Sequence, residues 1–144
     1  IWRTMNRILG FDLGSKTLGV AVSDPLGMIA RALTTLRFAS DDYTDAFAQA
    51  SALITEQKAD TVVLGLPKHM NGDVGERGEI SIAFSQRLET LGVKVVLWDE
   101  RLTTVAANRL LLEGDVSRKK RKKVIDQMAA VQILQSYLDY SNRG

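Results

Sequence analysis

Two hydrophobic periods alternate along this chain. Arg7-Ile-Leu-Gly-Phe-Asp-Leu13 is a short apolar run closed by glycine, which predicts a buried strand ending near Asp12. Gly14 and Gly19 bracket a turn, Val20 to Ser23 reads as a second strand and Met28 to Leu36 as a third, and the close connections predict an antiparallel meander. The period then changes. Asp41 or Asp42 is suited to cap a helix running to about Lys58, with Phe47, Ala50, Leu53 and Ile54 as its apolar stripe. Thr61 to Leu64 returns to strand, stopped by Gly65-Leu-Pro67. The polar, glycine-bearing stretch from Lys68 to Gly78 predicts a loop, followed by a helix over Glu79 to Leu91 and a strand over Val93 to Trp98. Thr103 or Thr104 caps a predicted helix to Leu112 or Glu113, ended by Gly114. From about Lys122, Val124, Met128, Val131, Leu134 and Leu138 recur at three- and four-residue steps, predicting a last amphipathic helix with Asp126 in its first turn.

Three strands, then helix, strand, helix, strand and two helices describe a mixed α/β sheet in which the helix-linked strands run parallel. The 144 residues, 45% apolar, suit one domain spanning 1–144 without repeat or linker. Ile1 to Thr4 precede Met5 and are given no function, as a vector-derived or disordered extension. The chain has no cysteine and a single histidine, His69, which excludes a thiolate nucleophile, disulfides and a Cys/His zinc site, and leaves a serine triad only His69 to use. No apolar run approaches the ~20 residues of a membrane span, and the N-terminus lacks a signal-peptide layout, so a cytoplasmic protein with no membrane partner is expected.

The net charge of +2 conceals an uneven distribution. Arg118, Lys119, Lys120, Arg121, Lys122 and Lys123 are consecutive, so the rest of the chain carries −4. A local run of this kind is an electrostatic footprint for phosphates or else a solvated basic loop, and on the run alone the two are balanced.

Asp12 and Glu100 fall just beyond predicted strands, where an open α/β sheet presents its ligand site, although acids at strand ends are more often turn residues. Asp126 changes the balance. It precedes Ala129 and Ala130, whose small side chains let the helix approach the sheet, and a carboxylate carried in with it is costly to desolvate unless a cation neutralises it. A hard cation on oxygen ligands, Mg²⁺ or Mn²⁺, fits a chain without thiolates. The alternative is that Asp126 turns outward to favour its helix N-terminus.

Gly14-Ser-Lys-Thr-Leu-Gly19 is not a phosphate-binding P-loop, because Val20 stands where lysine is needed. Its amides, with Ser15, Lys16 and Thr17, either contact a phosphate beside Asp12 or form a plain glycine hairpin. Lys68, His69 and Asn71 follow another strand end and belong to the same rim, with Lys68 the best phosphate contact and His69 an exposed loop residue. Trp98 reads as core or a sheet-edge plug, and Arg101 as a partner either of a neighbouring carboxylate or of a transferring phosphoryl group.

Gly10-Phe-Asp-Leu-Gly14, Gly19-Val-Ala-Val-Ser-Asp24, Gly65-Leu-Pro67 with Asn71-Gly72, Asp99-Glu-Arg-Leu-Thr103, and Asp126 before Ala129-Ala-Val131 together resemble the YqgF family, also called RuvX. The resemblance runs from Met5 to about Tyr140. It implies a ribonuclease H-like fold with a mixed five-stranded sheet, order 3-2-1-4-5 with strand 2 antiparallel, flanked by helices. The activity it implies is resolution of Holliday junctions or nucleolytic finishing of the 5′ end of pre-16S ribosomal RNA, with Asp12, Glu100 and Asp126 as the acidic site. Ser15 replaces the threonine of many relatives and keeps a hydroxyl, and the segment Arg118 to Lys123 is unusually basic.

The expected chemistry is therefore metal-assisted phosphodiester hydrolysis of the two-metal type. Asp12 would anchor the ions, Glu100 and Asp126 would complete their shells, and Lys16, Lys68, Asn71, Arg101 and the run Arg118 to Lys123 would hold the nucleic acid backbone. The partner is pre-ribosomal RNA or branched DNA, and a two-fold symmetric junction would call for a homodimer. Two rivals stand beside this. A non-catalytic ribosome-assembly factor would bind nucleic acid and keep binding without the carboxylates. An ATP-handling protein of the actin and sugar-kinase type would use Asp12-Leu-Gly14, but it needs two such domains where this chain supplies one.

Overall fold

A computed structural model describes residues 7–103 and 118–142, with residues 118–127 described as backbone only. Its elements are β1 (Arg7–Leu13), β2 (Thr17–Ser23), β3 (Ala30–Arg37), α1 (Tyr43–Gln57), β4 (Ala59–Leu66), α2 (Glu76–Glu89), β5 (Lys94–Asp99), a single 3-10 turn (Glu100–Leu102) and α3 (Arg118–Ser141). The strands form one sheet in the order β3-β2-β1-β4-β5, as the resemblance implied. β1 pairs antiparallel with β2 and parallel with β4, and β4 pairs parallel with β5, each parallel step crossing over through a helix.

Strand alternation divides the core into two layers. Leu9, Phe11, Leu13, Val62 and Leu64 face Ala46, Ala50, Ile54, Phe84 and Leu88 of α1 and α2. On the opposite face Ala21 and Val63 meet Ala129, Ala130, Ile133 and Leu134 of α3. Gly10 is what allows that approach. A Cβ there would stand 2.6 Å from Leu134 Cβ and 2.9 Å from the Ala130 carbonyl oxygen, so α3 rests directly on the β1 backbone.

The direction of α3 follows from its polar contacts. Gln135 accepts from Ala30 N (2.8 Å) and donates to the Met28 carbonyl (3.0 Å), and Asn142 donates to the Gly27 carbonyl (3.0 Å). Gly27 and Met28 lie in the β2–β3 connection and Ala30 opens β3 opposite Ser23, whose hydroxyl accepts from Ile8 N at the start of β1. The C-terminal half of α3 therefore sits over the start of β1. Its N-terminal half points toward the end of β1, antiparallel to the strand.

The structure moves several predicted boundaries. β4 continues through Gly65 and Leu66, and Pro67 alone stops it. α2 begins at Glu76 and not Glu79: its cap, Gly75, makes no side-chain hydrogen bond and so leaves no marker in the sequence, while Glu76 and Glu79 favour the helix dipole. α3 is already helical at Arg118, where the described residues resume, and not only from Lys122, so the basic run occupies helix backbone. Asp126 then lies in the third turn, too far in for the macrodipole to explain it. The helix predicted from Thr103 or Thr104 to Glu113 lies outside the described residues. α1 matches its prediction, with Asp42 accepting from Asp45 N (3.1 Å) and Lys58 closing the helix in the left-handed region.

Candidate active site

Asp12 is the penultimate residue of β1, paired with Gly19 of β2. It is only 6% exposed, because alternation turns it to the face of Gly10, under α3. Glu100 opens the 3-10 turn after β5 and is 7% exposed. Asp99 accepts from Arg101 N (2.9 Å) at the head of this turn, and Thr103 closes it with N–H and Oγ1 both donating to the Glu100 carbonyl (3.0 and 2.7 Å). So fixed, the Glu100 side chain leans inward across the sheet. A Cβ at Gly65 of β4 would lie 2.9 Å from Glu100 Oε1 and 2.5 Å from Ile133 Cδ1 of α3.

Gly65 follows Leu64, the β4 partner of Phe11, and pairs with Trp98 of β5. It thus lies on the strand between the two acids, whose strands are about two spacings, or ~10 Å, apart. The missing side chain makes the hollow into which the Glu100 carboxylate reaches. Sequence reasoning took Gly65 only as a strand stop, although a glycine inside a strand is itself a sign of close approach.

The third predicted acid, Asp126, is described at its backbone. It stands one helical turn, ~6 Å, ahead of Ala130, while Asp12 stands two strand residues, ~6.7 Å, beyond Gly10. Since Ala130 covers Gly10 and the two elements run antiparallel, helix and strand advance to the same level. Among the described residues no group of three acids or imidazoles is assembled to hold a metal, the Asp126 side chain lying outside that description.

Around the acids the predicted cations divide. Lys16 is exposed at the tip of the β1–β2 hairpin, whose Gly14 N–H is already donated to the Thr17 carbonyl (2.8 Å). The turn is hooked to the segment before α1, with Phe38 N donating to the Lys16 carbonyl and Asp41 N to that of Ser15. Arg77 of α2, not singled out from the sequence, braces the same corner by donating to the Leu13 carbonyl (3.2 Å) and to Tyr43 Oη (2.9 Å). Lys68 and Arg101 both gather on Asp99, at 3.8 Å and 2.7 Å. The Arg101 guanidinium hydrogen-bonded to Asp99 holds that carboxyl below the usual carboxylate range, against the opposing effect of burial and with Lys68 adding to it. Arg101 is raised in turn by the same contact.

Asn71 belongs to its own loop: Nδ2 donates to Asp73 Oδ2 and Oδ1 accepts from Asp73 N, both at 3.0 Å. His69 is exposed, as expected, and Trp98 plugs the sheet edge, donating to Ser136 Oγ (3.0 Å) with its ring 5.6 Å from Tyr137. The side chains from Arg118 to Lys123 lie outside the description.

A family model described as RuvX, Holliday junction resolvase, matches residues 6–140. The chain belongs to the RuvX family. It is 56% identical over 137 residues to a Bacillus subtilis (strain 168) protein named "Putative pre-16S rRNA nuclease", a match covering 94% of this chain and 99% of that one. The protein of the same name from Oceanobacillus iheyensis is 53% identical over 134 residues, covering 92% and 98%. Among solved structures, T. thermophilus RuvC in complex with Holliday junction substrate superposes with a TM-score of 0.65 over 96% of both chains at 15% identity, which establishes the shared ribonuclease H-like fold. As a RuvX member with this fold, the chain is a nuclease by family.

Proposed function

We propose that this chain hydrolyses phosphodiester bonds of structured nucleic acid through a divalent-ion site held by Asp12, Glu100 and Asp126. The observation that carries the reading is the Glu100 carboxylate reaching across Gly65, on the α3 face to which Asp12 also turns. Two buried acids on one sheet face, with a glycine on the strand between them where a Cβ would meet the Glu100 carboxylate, fit a hard cation better than they fit packing. Asp12 would anchor two ions, and Glu100 and Asp126 would complete their shells. Bound there, Mg²⁺ or Mn²⁺ would supply Lewis-acid activation of the attacking water and neutralise charge on the leaving oxygen.

The residues of the chain do the rest. The carboxylates, held by strand ends and a capped turn, orient the reacting groups. The α3 face excludes bulk water, and Lys16, Lys68, Asn71, Arg101 and the run Arg118 to Lys123 seat the backbone, predicting weak sequence preference and steep salt dependence.

The names of the relatives support pre-ribosomal RNA as substrate and the family model supports a Holliday junction. The described strands share one sheet, which supports a single domain, and the rRNA-nuclease names of the relatives support a cytoplasmic place of action. The test is a cleavage panel of precursor-like structured RNA and four-way DNA junctions with Mg²⁺ or Mn²⁺, comparing the intact chain with Asp12→Asn and Asp126→Asn, with mass measured in parallel. Loss of cutting in both variants is expected, and a dimer if the junction is the substrate. Equal cutting by all three proteins refutes the site, and nucleic-acid binding without metal uptake or cleavage would favour an assembly factor.

A further inference from the structure

The residue beside the proposed catalytic acid does more than precede it. Asp99 Oδ1 accepts from the backbone N–H of Arg101 (2.9 Å), which forms the turn that throws Glu100 over Gly65. The same carboxylate grips the Arg101 side chain through Nε (3.1 Å to each oxygen) and Nη2 (2.7 Å), and draws in Lys68 Nζ at 3.8 Å. Arg101 is thereby folded back along the end of β5. Its Nη1 edge points to the Met70 carbonyl (3.5 Å) and to Gly72, where a Cβ would stand 3.4 Å away. A free arginine samples many rotamers and loses that freedom when fixed, and here a charge-assisted fork has already fixed it.

We propose that Asp99 is a positioning residue, whose carboxylate aims Arg101 and Lys68 as one phosphate-seating pair beside Glu100. This rests on the nuclease reading above for its consequence in cleavage, but the arrangement itself is a matter of nucleic-acid binding and can be read without catalysis. The two roles of Asp99 separate chemically. An asparagine keeps an acceptor for Arg101 N, and hence the turn, but loses the charge that holds the pair; alanine loses both.

Affinity and rate should move in opposite directions. Removing a negative charge beside two cations tightens binding of any polyanion, by about threefold for a unit charge several ångströms away in water. A pair no longer aimed, however, seats the phosphate out of register, and a misplacement of about 1 Å costs up to ~100-fold in rate. The experiment uses the full chain, a fluorescein-labelled hairpin RNA and a labelled four-way DNA junction. Affinity is read by anisotropy without divalent ions, cleavage by single turnover with Mg²⁺ at saturating protein. Asp99→Asn should melt close to the parent, bind tighter by at most about threefold and cut at least tenfold more slowly, with Asp99→Ala melting lower.

In a Lys68→Ala, Arg101→Ala background, adding Asp99→Asn should tighten binding by more than it does in the parent, because the charge is lost there with no aimed pair to lose, and should leave the rate unchanged. If the tightening is equal in the two backgrounds, Asp99 acts only through net charge and the proposal fails. It fails equally if Asp99→Asn cuts at the parental rate. Should the parent cut neither substrate, the nuclease reading falls on that result alone, and the binding cycle still decides the role of Asp99.

Discussion

Replacing Gly65 by alanine tests whether the hollow beneath Glu100 belongs to the chemistry. The added Cβ would meet Ile133 Cδ1 at 2.5 Å and Glu100 Oε1 at 2.9 Å, where an unstrained carbon contact needs more than about 3.3 Å. Both obstructing atoms are the far ends of side chains, so the fold should adjust. Overpacking of this kind costs ~1–3 kcal/mol, and the yielding contacts place Gly65→Ala near the lower end, about 1–2 kcal/mol. For a chain of this size that lowers the melting temperature by roughly 3–6 °C. The carboxylate, however, must retreat by a few tenths of an ångström or rotate away, so cleavage should fall by ~10-fold or more while most of the protein stays folded at 25 °C. Gly10→Ala is the control. Its Cβ collides with the Ala130 carbonyl (2.9 Å) and Leu134 Cβ (2.6 Å), atoms that move only if α3 moves, so stability should fall further for the same added methyl. Circular dichroism melts and single-turnover cleavage read the two quantities. A Gly65→Ala protein that melts several degrees lower yet cuts at the full rate would refute the placement of Glu100 in the reaction.

Asp24 accepts from Met28 N and Ile29 N (2.7 and 2.9 Å), and these amide contacts, Ile29 first, depress its pKa. Its contribution is therefore complete above the unfolded value and lost as pH falls through the lower folded one. The gap in melting temperature between parent and Asp24→Asn should accordingly be constant near neutrality and close below about pH 4; a gap that widens on acidification would contradict the sign. Asp42→Ala removes the α1 cap and should cost ~1 kcal/mol in urea unfolding without altering cleavage. Asp12→Asn should abolish cutting while leaving the melt within a few degrees, because asparagine has nearly the shape of the carboxylate it replaces; a collapse of the fold would instead mark Asp12 as structural.

Much of this architecture was legible in the chain. α1 announced both ends, through an Asp42 cap and a change of period after Lys58, and the strands were visible because their apolar runs are short and bounded by glycine or proline. α2 and α3 began earlier than the pattern indicated for different reasons: Gly75 caps with backbone alone, and the residues from Arg118 to Lys123 favour helix without presenting any apolar period. Asp12 and Glu100 were suspect from their strand-end positions. That both turn to one sheet face, with Gly65 on the strand between them, was not, because it depends on sheet register across 35 residues of chain on the Glu100 side. The arginine of Asp99-Glu-Arg101 had two readings in the sequence. Only the fork geometry showed that it pairs with Asp99 in the free protein.

The order of elements also gives the molecule a history. During synthesis Asp12 emerges with the first strand and Glu100 directly after the fifth, but the sheet face they share is roofed only when Ala129, Ala130 and Ile133 arrive on α3. Until then that face of the sheet, and the Gly65 position with it, has no cover. The cover over Asp12 is thus supplied by residues more than a hundred positions downstream of it.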